Sequence, residues 1–157
     1  MIKDKIKTLE EIGNIAAKLK RENKRIVTTN GVFDILHAGH VKYLEKAKKL
    51  GDVLIVGINS DASVKVNKGP KRPINGQKER CEVVAAVESV DYVFLFDEKT
   101  PVEWIARIKP QIHAKAGDYS KGSMPETKVV EKNGGKIKII EFEKGFSTSD
   151  LIKKMIG

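Results

Sequence analysis

The sequence predicts an α/β fold, an open parallel sheet of five strands with helices on both faces. Three observations carry this. Short β-branched runs alternate with segments of helical spacing along the chain. The run Val53-Leu54-Ile55-Val56-Gly57-Ile58 is apolar without alternation, as in strands covered on both faces. The 157 residues, 40% of them apolar, suffice for one domain with a real core.

Each element has a local reason. Thr8-Leu9-Glu10-Glu11 has the spacing of a capping box, and Leu9, Ile12, Ala16 and Leu19 recur at helical intervals, so a helix is expected over 8–22. Its basic end, Lys18 to Arg25, complements the helix dipole. Ile26-Val27-Thr28-Thr29 is the first strand, and Gly31 marks a turn or a close approach to a ligand. A helix follows from His40 to Leu50, with Val41, Leu44 and Ala47 inward and Gly51 as its stop. Val53 to Ile58 is the second strand. Residues 59–76 are polar and are expected to form one long loop carrying Lys65, Lys68, Lys71 and Arg72 beside Gly69, Pro70 and Pro73.

Helical spacing returns over 77–88, and Val90 to Phe96 is the third strand. Thr100-Pro101 opens a helix with proline at its first position. Ile112 to Lys115 is the fourth strand, Gly117 to Gly122 a loop, and Pro125 to Lys132 a helix stopped by Asn133-Gly134-Gly135. Lys136 to Phe142 is the fifth strand. Ser147-Thr148-Ser149-Asp150 caps a last helix through Met155. With no repeat and no linker, the expectation is a single Rossmann-like domain over 1–157, its first helix at about 8–22 and its core at about 26–155. Ligands of such sheets bind beyond the carboxyl ends of the strands, where strand order reverses.

Composition narrows the function. Thirty basic and 21 acidic side chains give a net charge of +9. The basic residues are scattered, without an arginine-rich tail or aromatic interleaving, which favours anionic small molecules over nucleic acid. No segment approaches the ~20 apolar residues of a membrane span, and Met1 to Lys5 is not followed by an apolar signal region. A cytoplasmic protein is expected. The one cysteine, Cys81, excludes an intrachain disulfide and a CxxC metal site.

The segment Asn30-Gly31-Val32-Phe33-Asp34-Ile35-Leu36-His37-Ala38-Gly39-His40 carries the chemistry. Two histidines three residues apart follow a strand and open a helix. Two imidazoles and the first helical N–H groups then surround one small volume, which suits a phosphate chain. Gly39 lets the backbone approach closely. Two near histidines also suit zinc, but no third ligand stands at a suitable local spacing. The GxxxxGK[ST] and GxGxxG phosphate loops are absent. Ser147-Thr148-Ser149 after Gly145 fits an ordinary cap, and equally a second phosphate site at a helix start. Lys65, Lys68, Lys71, Arg72 and Arg80 form either a solvated loop or a cationic arm for phosphates. Asp34 and Asp118 suit a metal, a sugar hydroxyl or a turn.

These residues resemble a family. Gly31-x-Phe33-Asp34-x-Leu36-His37-x-Gly39-His40, Asn59-Ser60-Asp61, Arg72-Pro73, Glu79-Arg80, Gly117-Asp118-Tyr119 and Ser147-Thr148-Ser149 are similar to the cytidylyltransferase-like nucleotidyltransferases with the HxGH signature. The resemblance runs from about residue 26 to 155. Thr29 to His40, Asn59 to Ser63 and Arg72-Pro73-Ile74-Asn75 look most like the adenylyltransferase domain of D-glycero-D-manno-heptose 1-phosphate adenylyltransferases.

The resemblance implies transfer of AMP from ATP to heptose 1-phosphate, giving ADP-heptose for lipopolysaccharide and pyrophosphate. It makes His37, His40 and Lys68 the catalytic residues. It assigns Asn30, Gly31, Phe33, Gly39, Arg80, Gly117, Asp118, Ser147, Thr148 and Ser149 to the nucleotide and its phosphates. Asp34, Lys65 and Arg72 fall to the sugar phosphate, with either Lys65 or Lys68 as the basic contact. Mg²⁺ would arrive with ATP rather than in a protein cluster. A homodimer is implied, and any sugar kinase would be a separate chain. Phe142 stands where glycerol-3-phosphate cytidylyltransferases carry an arginine, which favours ATP over CTP. Ala116 stands where the heptose subgroup often has a second glycine. The rival readings are a cytidylyltransferase for glycerol 3-phosphate, another polyol phosphate or choline phosphate, and a basic nucleic-acid-binding module.

Overall fold

A computed structural model describes residues 1–117, 124–141 and 147–157. The described elements are α1 (Ile2–Lys5), α2 (Leu9–Arg21), β1 (Ile26–Gly31), α3 (Ala38–Lys48), β2 (Val53–Asn59), α4 (Asp61–Lys68), α5 (Gln77–Ala85), β3 (Tyr92–Phe96), α6 (Val102–Ile108), β4 (Ile112–Ala116), α7 (Glu126–Lys132), β5 (Lys136–Ile140) and α8 (Thr148–Ile156). The five strands form one sheet in the order β3-β2-β1-β4-β5, and every pairing is parallel. The chain enters at β1, steps outward to β3, then returns to the other side of β1 for β4. Strand order therefore reverses between β1 and β4, and the carboxyl ends of these two strands are where a ligand crevice is expected.

Two apolar clusters sandwich the sheet. On one face Leu44 and Ala47 of α3 and Cys81, Val84 and Ala85 of α5 pack on Val27, Leu54, Val56 and Ile58. On the other, Ile12 and Ala16 of α2, Trp104, Ile105 and Ile108 of α6 and Val130 of α7 pack on Ile26, Ile55 and Phe94. A Cβ at Gly57 would lie 3.0 Å from Phe94 and 3.2 Å from Trp104, so the glycine in β2 makes room for these rings. Cys81 is buried in this core, and burial pushes its thiol up to about 11.

The capping box forms as expected: Glu11 N–H donates to Thr8 Oγ1 at 3.2 Å and Thr8 N–H to Glu11 Oε2 at 2.7 Å. Three expectations need correction. Residues 59–76 are not one loop, because α4 occupies 61–68. Ser60 caps it through Ser63 N–H, and Val64 buries fully against the core. The second helix starts at Ala38 rather than at His40, and this turns Val41 outward at 41% exposure. Tyr43 takes the inward place, its hydroxyl 2.7 Å from Thr29 Oγ1. Pro101 is the cap of α6 and not its first residue. The short α1 was not expected. It is followed by Ile6, which bridges to Val93 at the edge of β3.

Candidate functional site

The segment after β1 is shaped by Gly31 and Phe33. Phe33 adopts a left-handed backbone, φ 50°, and its ring folds back over Gly31. A Cβ at Gly31 would meet that ring at 2.9 Å, so this position admits only glycine without a shift. The same ring lies 5.4 Å from the His40 ring, and the His37 and His40 rings lie 3.8 Å apart at 34°.

The two histidines cap their own helix. His37 is the N-cap of α3, its Nδ1 accepting from Gly39 N–H at 3.1 Å. His40 Nδ1 in turn accepts from His37 N–H at 3.2 Å. This is a capping box built from imidazoles in place of the usual hydroxyl and carboxylate. An Nδ1 that accepts leaves the proton of a neutral ring on Nε2. Burial drives His37 below its ordinary value. Burial, and then the neighbouring His37, push His40 down to about 4. Both rings are thus neutral near pH 7, carrying Nε2–H donors beside a helix N-terminus.

The late hydroxyl cluster comes to the same place. Thr148 Oγ1 donates to the Ile35 carbonyl at 3.1 Å, joining the start of α8 to the loop that carries His37. Ser147 caps α8 by accepting from Asp150 N–H at 3.0 Å, and Ser149 is exposed. The cap and the tether together account for two of the three hydroxyls.

Behind this pair stands a buried polar frame. Asp34 accepts from Arg72 Nε at 2.8 Å, from Ile74 N–H at 2.9 Å and from Asn75 N–H at 2.8 Å. Asn75 Nδ2 returns a bond to the Asp34 carbonyl at 2.6 Å. Burial opposes the Asp34 charge, but these donors outweigh it and hold the carboxyl below its ordinary value. Arg80, 1% exposed, donates to the carbonyls of Asn75 and Val32 and to Asp61 Oδ1, at 3.0, 2.7 and 2.8 Å. It thereby ties the segment after β1 to the 70s loop and to the start of α4. In this arrangement both Asp34 and Arg80 face protein partners.

The basic residues sit on an exposed rim. Lys65 and Lys68 are exposed on the last turns of α4. Partial burial and the Arg72 charge lower Lys68, partly offset by Asp34. Gly39 is buried, and Gly117, φ 93°, ends β4 with its N–H on the Ile140 carbonyl at 3.1 Å. Asp118 and Phe142 lie outside the described residues. Asn30 lines a cleft with Lys99, Thr100, Lys115 and Glu126. His113 is fully buried in β4, its Nδ1 2.8 Å from Thr28 Oγ1 and its ring against Trp104, and burial pushes it down to about 3. Sequence reasoning quoted Asp61 and Asn75 only within the motifs of the resemblance and gave them no role, and it missed the Lys115–Glu126 pair, 3.4 Å apart, which no local pattern marks.

Among the described residues, no group of three or more His, Cys, Asp or Glu side chains could hold a metal ion, and no helix is long and apolar enough to cross a membrane.

Comparison with known proteins agrees with this fold. The family model described as cytidylyltransferase-like matches residues 28–154. The bifunctional protein HldE of Pelobacter propionicus is 47% identical over 97% of this chain, and that of Campylobacter jejuni subsp. doylei 51% identical over 96%. The chain spans 31% of the length of either relative. Among solved structures, the lipopolysaccharide core biosynthesis protein from Thermoplasma volcanium superposes with a TM-score of 0.63 at 31% identity, covering 78% of this chain and 99% of that one. Pantoate-beta-alanine ligase from Francisella tularensis shares the fold, with a TM-score of 0.60 at 16% identity, covering 94% of this chain and 75% of its own. By the extent of the family match and the identity to these relatives, the chain belongs to the cytidylyltransferase-like family.

Proposed function

We propose that the chain transfers AMP from ATP to a sugar 1-phosphate, D-glycero-D-manno-heptose 1-phosphate, giving ADP-heptose and pyrophosphate. The observation that carries this is the close histidine pair at the start of α3 with the start of α8 tethered beside it. The Thr148 tether brings the start of α8 to the loop that leads into α3, and two neighbouring helix N-termini with neutral Nε2–H donors suit a polyphosphate. The match to the HldE proteins supports the adenylyl and heptose assignments.

In this reading an anionic phosphate oxygen of the sugar phosphate attacks the α-phosphorus in line. A new P–O bond forms as the bond to the bridging oxygen breaks, and pyrophosphate leaves with the electron pair. The nucleophile is already charged near neutral pH, so no strong general base is required. His37 and His40 donate to phosphate oxygens as charge develops, an effect that preorganised donors supply without reorganisation. Lys65, Lys68 and Arg72 neutralise the acceptor phosphate and the leaving group. Asp34 and Arg80 act through the frame, by holding Arg72 and the loop after β1. Asp34 is the carboxylate at hand and is already bonded to Arg72, Ile74 and Asn75, so the described side chains do not make the oxygen cage Mg²⁺ prefers. The ion would come on the nucleotide phosphates. Its nucleotide substrate places the reaction in the cytoplasm, and a homodimer is the assembly expected.

The test is a panel of sugar 1-phosphates offered with ATP or CTP, reading pyrophosphate. ATP with the heptose phosphate should give the highest kcat/KM. A preference for CTP, or release with glycerol 3-phosphate in place of the sugar phosphates, would reject the reading.

Two further results are expected. Replacing Lys65 and Lys68 together by alanine should chiefly raise KM, and unchanged KM for both substrates would count against a binding rim. The rate should also stay level from neutral pH to about pH 8.5, since burial holds both imidazoles below their ordinary value of 6.5. A histidine whose folded value is lowered favours folding above its ordinary value of 6.5, and this contribution is lost as the pH falls toward 4. A rate that declines through pH 7 as the pH rises would instead point to an imidazolium.

A further inference from the structure

The cleft at the carboxyl ends of β1 and β4 has no task in the transfer step. It holds about 360 Å³ and is lined by Asn30, Lys99, Thr100, Lys115 and Glu126 together with Met124 and two prolines. That volume falls among small-ligand pockets of about 300–1,000 Å³. Side-chain alternation along β1 fixes its side of the sheet. Thr29 turns to Tyr43 of α3, while Thr28 turns to His113, which packs on Trp104 of α6. Asn30 shares the Thr28 side. The cleft and the histidine pair thus lie on opposite faces of one sheet edge, and Gly31, without a side chain, follows Asn30 between them.

One polar feature of this cleft is costly unless something occupies it, and a second sets its charge. Asn30 Oδ1 is shielded from solvent and has no hydrogen-bond partner among the described residues. Turning the amide leaves its other polar end in that position, and an orphaned buried polar group is destabilising. Glu126, 3% exposed, is buried on the first turn of α7 with Lys115 at 3.4 Å. Buried ion pairs contribute little net stability.

The chemistry of the lining selects the occupant. Among the described residues it offers an amide, a hydroxyl, two ammonium groups and a carboxylate, and no aromatic ring on which a purine could stack. The Glu126 carboxylate neutralises Lys115, so the lining lacks the concentrated positive charge that a polyphosphate needs. A ring bearing several hydroxyls, each both donor and acceptor, satisfies every one of these groups. The terminal torsion of Asn30 is soft, so its amide can turn to meet a hydroxyl. We propose that this cleft receives the hydroxylated ring of the sugar 1-phosphate, with Asn30, Thr100 and Glu126 as the residues that select it. The inference rests on the transfer reading above and adds to it where the sugar is held.

The test uses Asn30→Ala and Thr100→Val in the full chain, with pyrophosphate release measured against D-glycero-D-manno-heptose 1-phosphate and against ATP. Each variant should raise KM for the sugar phosphate about threefold to tenfold, the scale of one neutral hydrogen bond, and leave KM for ATP unchanged. The variants should also narrow the preference for the heptose phosphate over mannose 1-phosphate. An unmoved sugar KM in both, or a matching rise in the ATP KM, overturns the inference while leaving the transfer reading intact. No pyrophosphate from the unaltered chain with any sugar phosphate overturns the transfer reading itself. Thr100 lies at the cleft rim in a loop, so its variant reports even where Asn30→Ala lowers the melting temperature.

Discussion

Replacing His40 by alanine should lower turnover, read as pyrophosphate release, about 10²-fold or more, and His37→Ala should do the same. The expectation follows from what the rings do. Each neutral ring carries an Nε2–H beside a helix N-terminus, and losing one preorganised donor to a developing charge has this magnitude. The capping box adds a second consequence. Both Nδ1 atoms satisfy backbone N–H groups at the start of α3, so alanine also removes a cap, typically about 1 kcal/mol of stability. The two losses separate with His37→Asn. Asparagine caps well but lacks the reach of the ring, so the melting temperature should recover while the rate stays low. Wild-type turnover in both alanine variants would remove the histidines from the mechanism.

The second large effect is expected at Asp34. Asp34→Asn keeps the shape but loses the charge and turns an NH₂ group toward donors that need an acceptor. Arg72, Ile74 N–H and Asn75 N–H then lose their common partner in a site where the carboxylate is 1% exposed. The cost should be about 3 kcal/mol, seen as a fall of about 6–12 °C in melting temperature for a domain of this size. Freeing Arg72 should also raise KM for the sugar phosphate. The sign with pH is fixed by the lowered Asp34 value. Its contribution is full above the ordinary carboxylate value of 3.8 and is lost as the pH falls below it. Equal melting temperatures for variant and parent at neutral pH would show that the frame does not depend on this carboxylate.

The alternation of strands and helices was legible because each element states its reason locally. The Thr8–Glu11 box and the unbroken apolar run of β2 are visible without neighbours, and the histidine spacing after a strand pointed to the helix start. The helix α4 was hidden by its composition. Lys65, Val66, Asn67 and Lys68 give no apolar stripe, and the helix depends on Ser60 as its cap and on Val64 finding the core. Val41 was misplaced because a helix starting two residues earlier presents a different face, and that start is set by an imidazole acting as a cap. Asp34 and Arg80 read in the sequence as ligand contacts, while their partners stand from 5 to 48 residues away. Spacing along the chain carries no information about such a frame. The cleft at Asn30 was illegible for the same reason, since β1, the loop before α6, β4 and α7 each supply one wall.

Gly31 shows how far the alignment of the reactive groups depends on a position that touches nothing reactive. Even one added methyl there would press on the Phe33 ring, and that ring is the plate against which His40 rests. Selection on this loop should therefore act as strictly on bulk at residue 31 as on chemistry at residue 40, because an error in the first is relayed, through a single aromatic contact, into the aim of the second.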